Sequence, residues 1–390
     1  MSLDKLHDLP EIVQQIILNS SALAPPPGTI PNLDHPPNQN ALSLAVTTLC
    51  FSISTLAILI ATYARYKRAK RPCYEDFFVL ASYGLIVGVT YCLYEGQAGI
   101  GLFVHQWNVR VRDLAGAFYL VHVGSILYSV AIMLLKVAIL LQWIRLFVPR
   151  ETKGSFYWTS HLLLWMNVLL YSVIVITICA SCKPFAKLWD PTLSGTCSAD
   201  RGIIDIATAV TNLVSDVIIL LLPQQIIWKL KLKTQRKIGI AFVFCVGILA
   251  IISAAFRMHA SIRFFTSKDK TYQVSSAALW GIAELTCGVL IYCVPSIPGI
   301  IRDSRLFHKS FTAVELWMKS PLIQFRSWTS LKVRSKGGKA PQDSLSGSNQ
   351  NDSIVSKSRD QAKAQLESHG SQAYDEYIHQ FQPTRSQCIV

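Results

Sequence analysis

Seven apolar runs, each of a length to cross about 30 Å of hydrocarbon as a helix, dominate this chain and exclude most other folds. They fall at approximately Ala41 to Tyr63, Asp76 to Leu93, Phe118 to Leu146, Tyr157 to Cys179, Ile203 to Ile227, Ile238 to Phe256 and Ala277 to Ile301. Leu, Ile, Val, Ala and Phe predominate in each, without the strict alternation of a β-barrel strand. Backbone in lipid must satisfy its own hydrogen bonds, so such runs form helices. Composition agrees, with 51% hydrophobic and 15% charged residues, against roughly 25% charged in a soluble domain. The expected fold is all-α, a polytopic membrane protein with a seven-transmembrane-helix bundle.

The net charge of +14 does not point to nucleic acid, because the cations sit in short clusters between apolar runs rather than on one soluble face. Alternate connectors carry more of them than the connectors between: Arg65 to Arg71, then Arg145, Arg150 and Lys153, then Lys229 to Lys237, then Arg302 to Lys319. The opposite set is poorer, although its last member holds Arg257, Arg263, Lys268 and Lys270. Cationic connectors stay in the cytoplasm, so the N-terminus is expected outside and the C-terminus inside.

The seven runs bound a membrane domain at 41–301. Residues 1–40 lack the apolar core of a cleavable signal, and the first span is expected to act as the insertion signal. The Pro-rich stretch "APPPGTIPNLDHPP" cannot hold a helix and is expected to form an extended extracellular stalk. Asn19 opens a glycosylation sequon with Ser20 and Ser21. At 302–329, Phe307, Phe311, Val314 and Trp317 recur at helical spacing beside Arg305, Lys309 and Lys319, which suits an interfacial amphipathic helix. The remainder, 330–390, is polar and Ser-rich and is expected to be a disordered cytoplasmic tail.

Most of the ten cysteines lie in or at the ends of spans. Cys182 and Cys197 instead share the second outer connector, where a disulfide between them would fold the loop over the bundle; Cys92 and Cys179 are rival partners, since spacing does not set connectivity.

Ionisable residues inside a span are costly and normally face partners in the bundle interior. Lys136, Asp205, Asp216 and Glu284 are of this kind, and Asn212 lies one turn from Asp216 on the same face. Asp216 is the expected partner of Lys136, either as a structural pair or as a conformational switch. Glu284 is the stronger ligand-site candidate, although a hydrogen bond to neighbouring backbone would also account for it. Pro223, Pro295 and Pro298 kink or end the fifth and seventh spans. His105, His122 and His259 could approach the outer face, but no HxxxH or HExxH spacing supports a metal, and the seventh run has no lysine for a retinal Schiff base. No cofactor is implied, and no nucleophile, metal set or cofactor loop marks a catalytic site.

Several local patterns occur in order: "YEDFFVLASYG" opening the second span, "LLKVAILLQWIRLFVP" closing the third, "CKPFAKLWDPTLSGTC" after the fourth, the fifth containing "TNLVSDVIILLLPQQIIWKLKLKTQRK", and "LWGIAELTCGVLIYCVPSIPGIIR" in the seventh. In these the chain resembles the fungal rhodopsin-like-domain family of integral membrane proteins, which includes pathogenesis-related receptor-like proteins and a satratoxin-cluster membrane protein. The resemblance spans roughly Ala41 to Ser310. It implies seven helices, membrane residence and a receptor role, and its pattern falls on Asp76, Lys136, Arg145, Cys182, Trp189, Cys197, Asp216, Pro223, Lys237, Arg257, Glu284 and Pro295 without assigning them a biochemical role. The cysteine-rich extracellular module of some members is missing from residues 1–40. Span three lacks the Asp-Arg-Tyr triplet, and span seven lacks the Asn-Pro-x-x-Tyr motif, of the large animal receptor class.

Two functions follow as expectations. One is a sensor whose outer pocket, capped by the Cys182 to Cys197 loop, takes a small or lipophilic ligand and signals to a cytoplasmic partner. The other is a membrane-embedded enzyme, exporter or accessory protein of a secondary-metabolite pathway.

Overall fold

The computed structural model describes residues 9–69, 73–148, 154–197, 201–224 and 234–296. A short helix, α1 (Glu11–Asn19), precedes seven long ones: α2 (Asn40–Ala69), α3 (Tyr74–Ala98), α4 (Val111–Phe147), α5 (Ser155–Ala180), α6 (Arg201–Leu221), α7 (Thr234–Thr266) and α8 (Lys270–Cys293). All seven are long and apolar enough to cross a membrane. The expected interfacial helix at 302–329 and the tail at 330–390 lie outside the described residues, as does Pro298.

Local chemistry sets the helix ends. The Asp76 carboxylate accepts the backbone N–H of Cys73 at 2.9 Å, satisfying a donor that the first turn of α3 leaves open. Helix α6 stops at Leu221, two residues before Pro223, and α8 gives way to a 3-10 turn, Val294–Ser296, that contains Pro295. Both prolines sit where a missing N–H and a ring clash make continuation unfavourable.

Two helices form the centre. Half of the apolar stretch of α4 and of α8 is buried, against 22% for α2 and α5. On α5, Leu162, Trp165, Leu169, Val173 and Ile176 recur every three or four residues and are all exposed, forming a stripe that faces lipid. The core runs through Ile86 and Val89 of α3, Leu135 and Leu140 of α4, and Ile282, Leu285 and Val289 of α8. Helices α4 and α8 approach closely at Gly288, where an added methyl would stand 2.5 Å from Leu135 Cδ2.

Two outcomes differ from expectation. The sixth helix continues ten residues past Phe256 to Thr266, so Arg257, counted above with an outer connector, lies within it. Residues after Arg257 return to an apolar pattern, and the cation has a buried partner described below. The N-terminal segment, in turn, is not an extended stalk. The Pro-rich stretch is indeed not helical. It folds back over the bundle, however: α1 packs on α4, Ser21 bridges Arg110 in antiparallel fashion, and the Asn32 amide donates to Asn108 Oδ1 at 3.0 Å. The Gln39 amide donates to Leu102 O at 3.1 Å, and the Leu102 amide to Asn40 Oδ1 at 2.8 Å. Backbone groups that a stalk would leave to water are thereby paired with the connector between α3 and α4.

Candidate ligand cavity and buried ionic network

The four polar span residues Lys136, Asn212, Asp216 and Glu284 meet in one network. Lys136 of α4 is 2% exposed, and its Nζ pairs with Asp216 Oδ1 at 2.8 Å. Nζ also donates to Asn212 Oδ1 at 2.8 Å and Ser215 Oγ at 2.5 Å. The expected Lys136–Asp216 partnership is therefore present. The Asn212 amide group donates to Glu284 Oε1 and, at 3.3 Å, to Asp216 Oδ2. Tyr171 of α5 donates to Asn212 Oδ1 at 2.5 Å. Glu284, 1% exposed, meets Arg257 Nε at 3.0 Å through Oε2 and accepts from Tyr128 OH at 2.9 Å on the same oxygen. A side-chain network, not neighbouring backbone, thus holds Glu284. Two cations and two carboxylates balance, which is how charges this far from water become tolerable.

Sequence reasoning did not find Arg257 as the partner of Glu284, nor Tyr128, Tyr171 and Ser215. The signal for Arg257 was the apolar pattern resuming in "MHASIRFF". Tyrosines within spans are compositionally ordinary and carried no such signal.

Above this network, on the side where residues 33–36 lie, is a cavity of about 890 Å³. This is within the roughly 300–1,000 Å³ of small-molecule sites. Its walls run down α4 from Arg112 to Ser129, along α7 from Phe264 to Arg257, and along α8 from Thr271 to Ile282. Tyr128 and Arg257 belong both to this lining and to the contacts of Glu284, so the floor of the cavity is the roof of the ionic network. Asp205 lines the cavity wall on α6 and is not among the groups that surround Lys136. Leu33, Asp34 and Pro36 of the N-terminal segment line the upper part.

The cover of this cavity corrects an expectation. Residues of the Cys182 to Cys197 loop are absent from its lining; the N-terminal segment and residues 98–102 take that place. Cys182 and Cys197 do form the disulfide, within a two-stranded antiparallel pair β1 (Cys182–Lys183) and β2 (Thr196–Cys197), and Cys92 and Cys179 are free. The loop is occupied elsewhere: its Trp189 packs edge-on against Tyr119 of α4 at 5.3 Å, and Phe185 lies 6.0 Å from His122. The connector between α3 and α4 is tied to the start of α8, with His105 Nδ1 2.6 Å from Asp269 Oδ2. The His105 ring stacks between Trp107 and Tyr272 at 4.2 and 4.5 Å. His259 is exposed on α7.

A second polar cluster lies at the opposite end of the bundle. Asp76 takes Arg65 Nη1 at 2.5 Å and Tyr292 OH at 2.8 Å, while Arg145 Nη1 meets Glu75 Oε1 at 2.5 Å. These contacts join α2, α3, α4 and α8. Pro223 is buried in the turn after α6, and Lys237 lies in α7 with its side chain outside the described residues. Asn19, at the end of α1, is exposed and accepts from Arg112 Nη1 at 2.9 Å through Oδ1.

The sequence profile of the fungal rhodopsin domain matches residues 60–303. A protein of Gibberella zeae named "Fugralins biosynthesis cluster protein 2" is 36% identical over 291 residues, covering 74% of this chain and 72% of its own. A "SAT4 family membrane protein" of Emericella nidulans is 34% identical over 198 residues, 51% of this chain and 50% of that one. "Receptor GIN3" of Arthrobotrys oligospora is 24% identical over 278 residues, 70% of this chain and 65% of that one.

Proposed function

The chain belongs to the fungal rhodopsin domain family, and from that premise we propose that it is a receptor-like membrane protein that senses a small lipophilic ligand. One observation carries the reading: Tyr128 and Arg257 line the cavity and also hold Glu284. A ligand that engages these two side chains competes for the groups that keep the network together. It shifts the helices by its difference in affinity for two arrangements, and by no more than that. The resemblance to a protein named as a receptor supports the same reading.

In this reading the cavity faces outward from the plasma membrane, the basic connectors meet a cytoplasmic signalling partner, and Asn19 carries sugar. Glycosidase treatment should then increase the gel mobility of the wild-type protein and leave Asn19→Gln unchanged. Equal mobility of the treated and untreated wild-type protein would argue against this orientation.

The relative named for a biosynthesis cluster supports a second reading, an accessory or enzymatic role in a secondary-metabolite pathway. Metabolite and transcript profiling of a deletion strain separates the two. Sensing predicts an unchanged set of compounds with altered responses to growth conditions. A lost compound with an accumulated precursor would replace the sensor with a pathway component.

A further inference from the structure

Helix α1 carries its apolar and polar side chains on separate flanks. Of its nine residues, Gln14, Ile17 and Leu18 form the partly buried face. The exposed remainder is divided lengthwise, with Ile12, Val13 and Ile16 on one flank and Glu11, Gln15 and Asn19 on the other, each set brought together by the helical repeat. Ile12 is 76% and Ile16 65% exposed. Single exposed apolar residues are ordinary. Three gathered on one flank of a helix whose other exposed flank is wholly polar mark a boundary between two surroundings.

The path of the chain points to what lies on the apolar side. Ser21 bridges Arg110 in antiparallel fashion, the Val111 amide donates to Ser20 O at 3.2 Å, and Arg112 Nη1 donates to Asn19 Oδ1 at 2.9 Å. Followed backward from Ser21, the chain therefore runs beside α4 in the direction in which α4 enters the membrane, and α1 packs on that helix. Its depth follows from the helix rise. Asn167, midway along α5, donates to Met133 O at 3.2 Å, which sets Met133 near the middle of the bilayer. Half of about 30 Å of hydrocarbon is roughly ten residues of helix, so the edge falls near Val123 of α4. His122 and Tyr119 lie just beyond it, against Phe185 and Trp189, where aromatic side chains gather at a membrane interface. Arg112 stands about 16 Å from the edge on an upright helix, and α1 returns about 10 Å of that by Ile12. Ile12 thus comes within roughly 6 Å of the hydrocarbon, inside the headgroup layer. It is level there with the exposed Tyr119, two turns from Arg112 on the same face of α4.

We propose that α1 is an interfacial helix, with Ile12, Val13 and Ile16 in the headgroup layer of the leaflet on the cavity side and Glu11, Gln15 and Asn19 toward water. Its partner is the lipid surface. A helix this short is marginal in isolation, and burying its apolar flank adds to what packing on α4 supplies. The segment that covers the cavity, with Leu33, Asp34 and Pro36 in the lining, is then moored to the bilayer through α1 and to the bundle through Asn40. None of this requires that the cavity be a sensor.

Spin labels test the depth. A nitroxide is attached through p-acetylphenylalanine, which spares the native cysteines, in place of Glu11, Ile12, Gln15 or Ile16 in the full chain in phosphatidylcholine nanodiscs. Collision with oxygen, which concentrates in lipid, is compared with collision with a neutral nickel chelate, which stays in water, by electron paramagnetic resonance. Labels at Ile12 and Ile16 are expected to favour oxygen severalfold more than labels at Glu11 and Gln15. An equal ratio at all four positions would overturn the proposal. Shielding of Ile12 and Ile16 from both reagents would overturn it too, in favour of a protein partner. A second measurement uses no label. Both isoleucines are largely free of protein contact, so Ile12→Ser with Ile16→Ser should leave the bundle intact, as amide protection in the core of α4 reports. Hydrogen exchange across 12–19 in nanodiscs should nevertheless rise roughly tenfold or more, because two apolar side chains lose their burial in the interface. Unchanged exchange there would show that α1 takes no stability from lipid and would overturn the proposal.

Discussion

Lys136 shows how much an individual side chain can demand of the fold. An ammonium 2% exposed within a span requires an anion, and Asp216 supplies it at 2.8 Å. Replacing Lys136 by Met should leave Asp216 as an uncompensated buried charge and cost about 3–5 kcal/mol. Lys136→Met with Asp216→Leu removes both charges and should lose markedly less stability than the sum of the single changes. Apparent melting temperatures in nanodiscs check this; additive losses would mean that the two groups do not interact. Lys136, Asp216 and Glu284 were legible because a charge inside an apolar run stands out. Arg257 was not, because a cation near the end of a run resembles the start of a connector. Only the position of α8 across from it shows that Glu284 lies 3.0 Å away.

At the level of elements, helix number and order were legible, and helix ends only in part. The ends set by Pro223 and Pro295 carry their cause in the sequence. The continuation of α7 to Thr266 is marked only by the apolar pattern resuming in "MHASIRFF", while the partner that offsets Arg257 within it, Glu284, is set by the fold. Helix spacing was likewise hidden. Gly288 lies on the face of α8 that meets Leu135 of α4, and nothing in "ELTCGVLIYC" distinguishes a glycine at a contact from one facing lipid. Gly288→Leu should push the two central helices apart, or force Leu135 into a poorer rotamer, at a cost of about 1–3 kcal/mol. Gly288 lies between Glu284 of the inner ionic network and Tyr292 of the second polar cluster on the same helix, which makes this crossing a sensitive one. A variant with unchanged thermal stability would mean that the helices separate there without loss.

For the whole molecule, the main feature is the N-terminal segment folded over the cavity. Asn40 ties it to the bundle twice, accepting from the Leu102 amide at 2.8 Å and donating to Gln97 O at 3.2 Å. Asn40→Ala should therefore accelerate hydrogen exchange at Leu102, about fivefold for each kcal/mol of hydrogen bond lost; unchanged exchange would show that the cover is held by its other contacts. Hydropathy and charge spacing were sufficient for the seven-helix architecture, since a span must be apolar along its whole length and each run reports this without reference to the others. They were sufficient for the identity of four polar residues in the interior as well. The tertiary structure decided the rest: that the N-terminal segment and not the disulfide loop covers the cavity, that Arg257 belongs to the interior, and that cavity and network share a boundary at Tyr128 and Arg257. Each of these depends on which faces meet between segments apart in the chain, from 27 residues for Arg257 and Glu284 to 156 for Tyr128 and Glu284, and a periodic pattern specifies a face without specifying its neighbour.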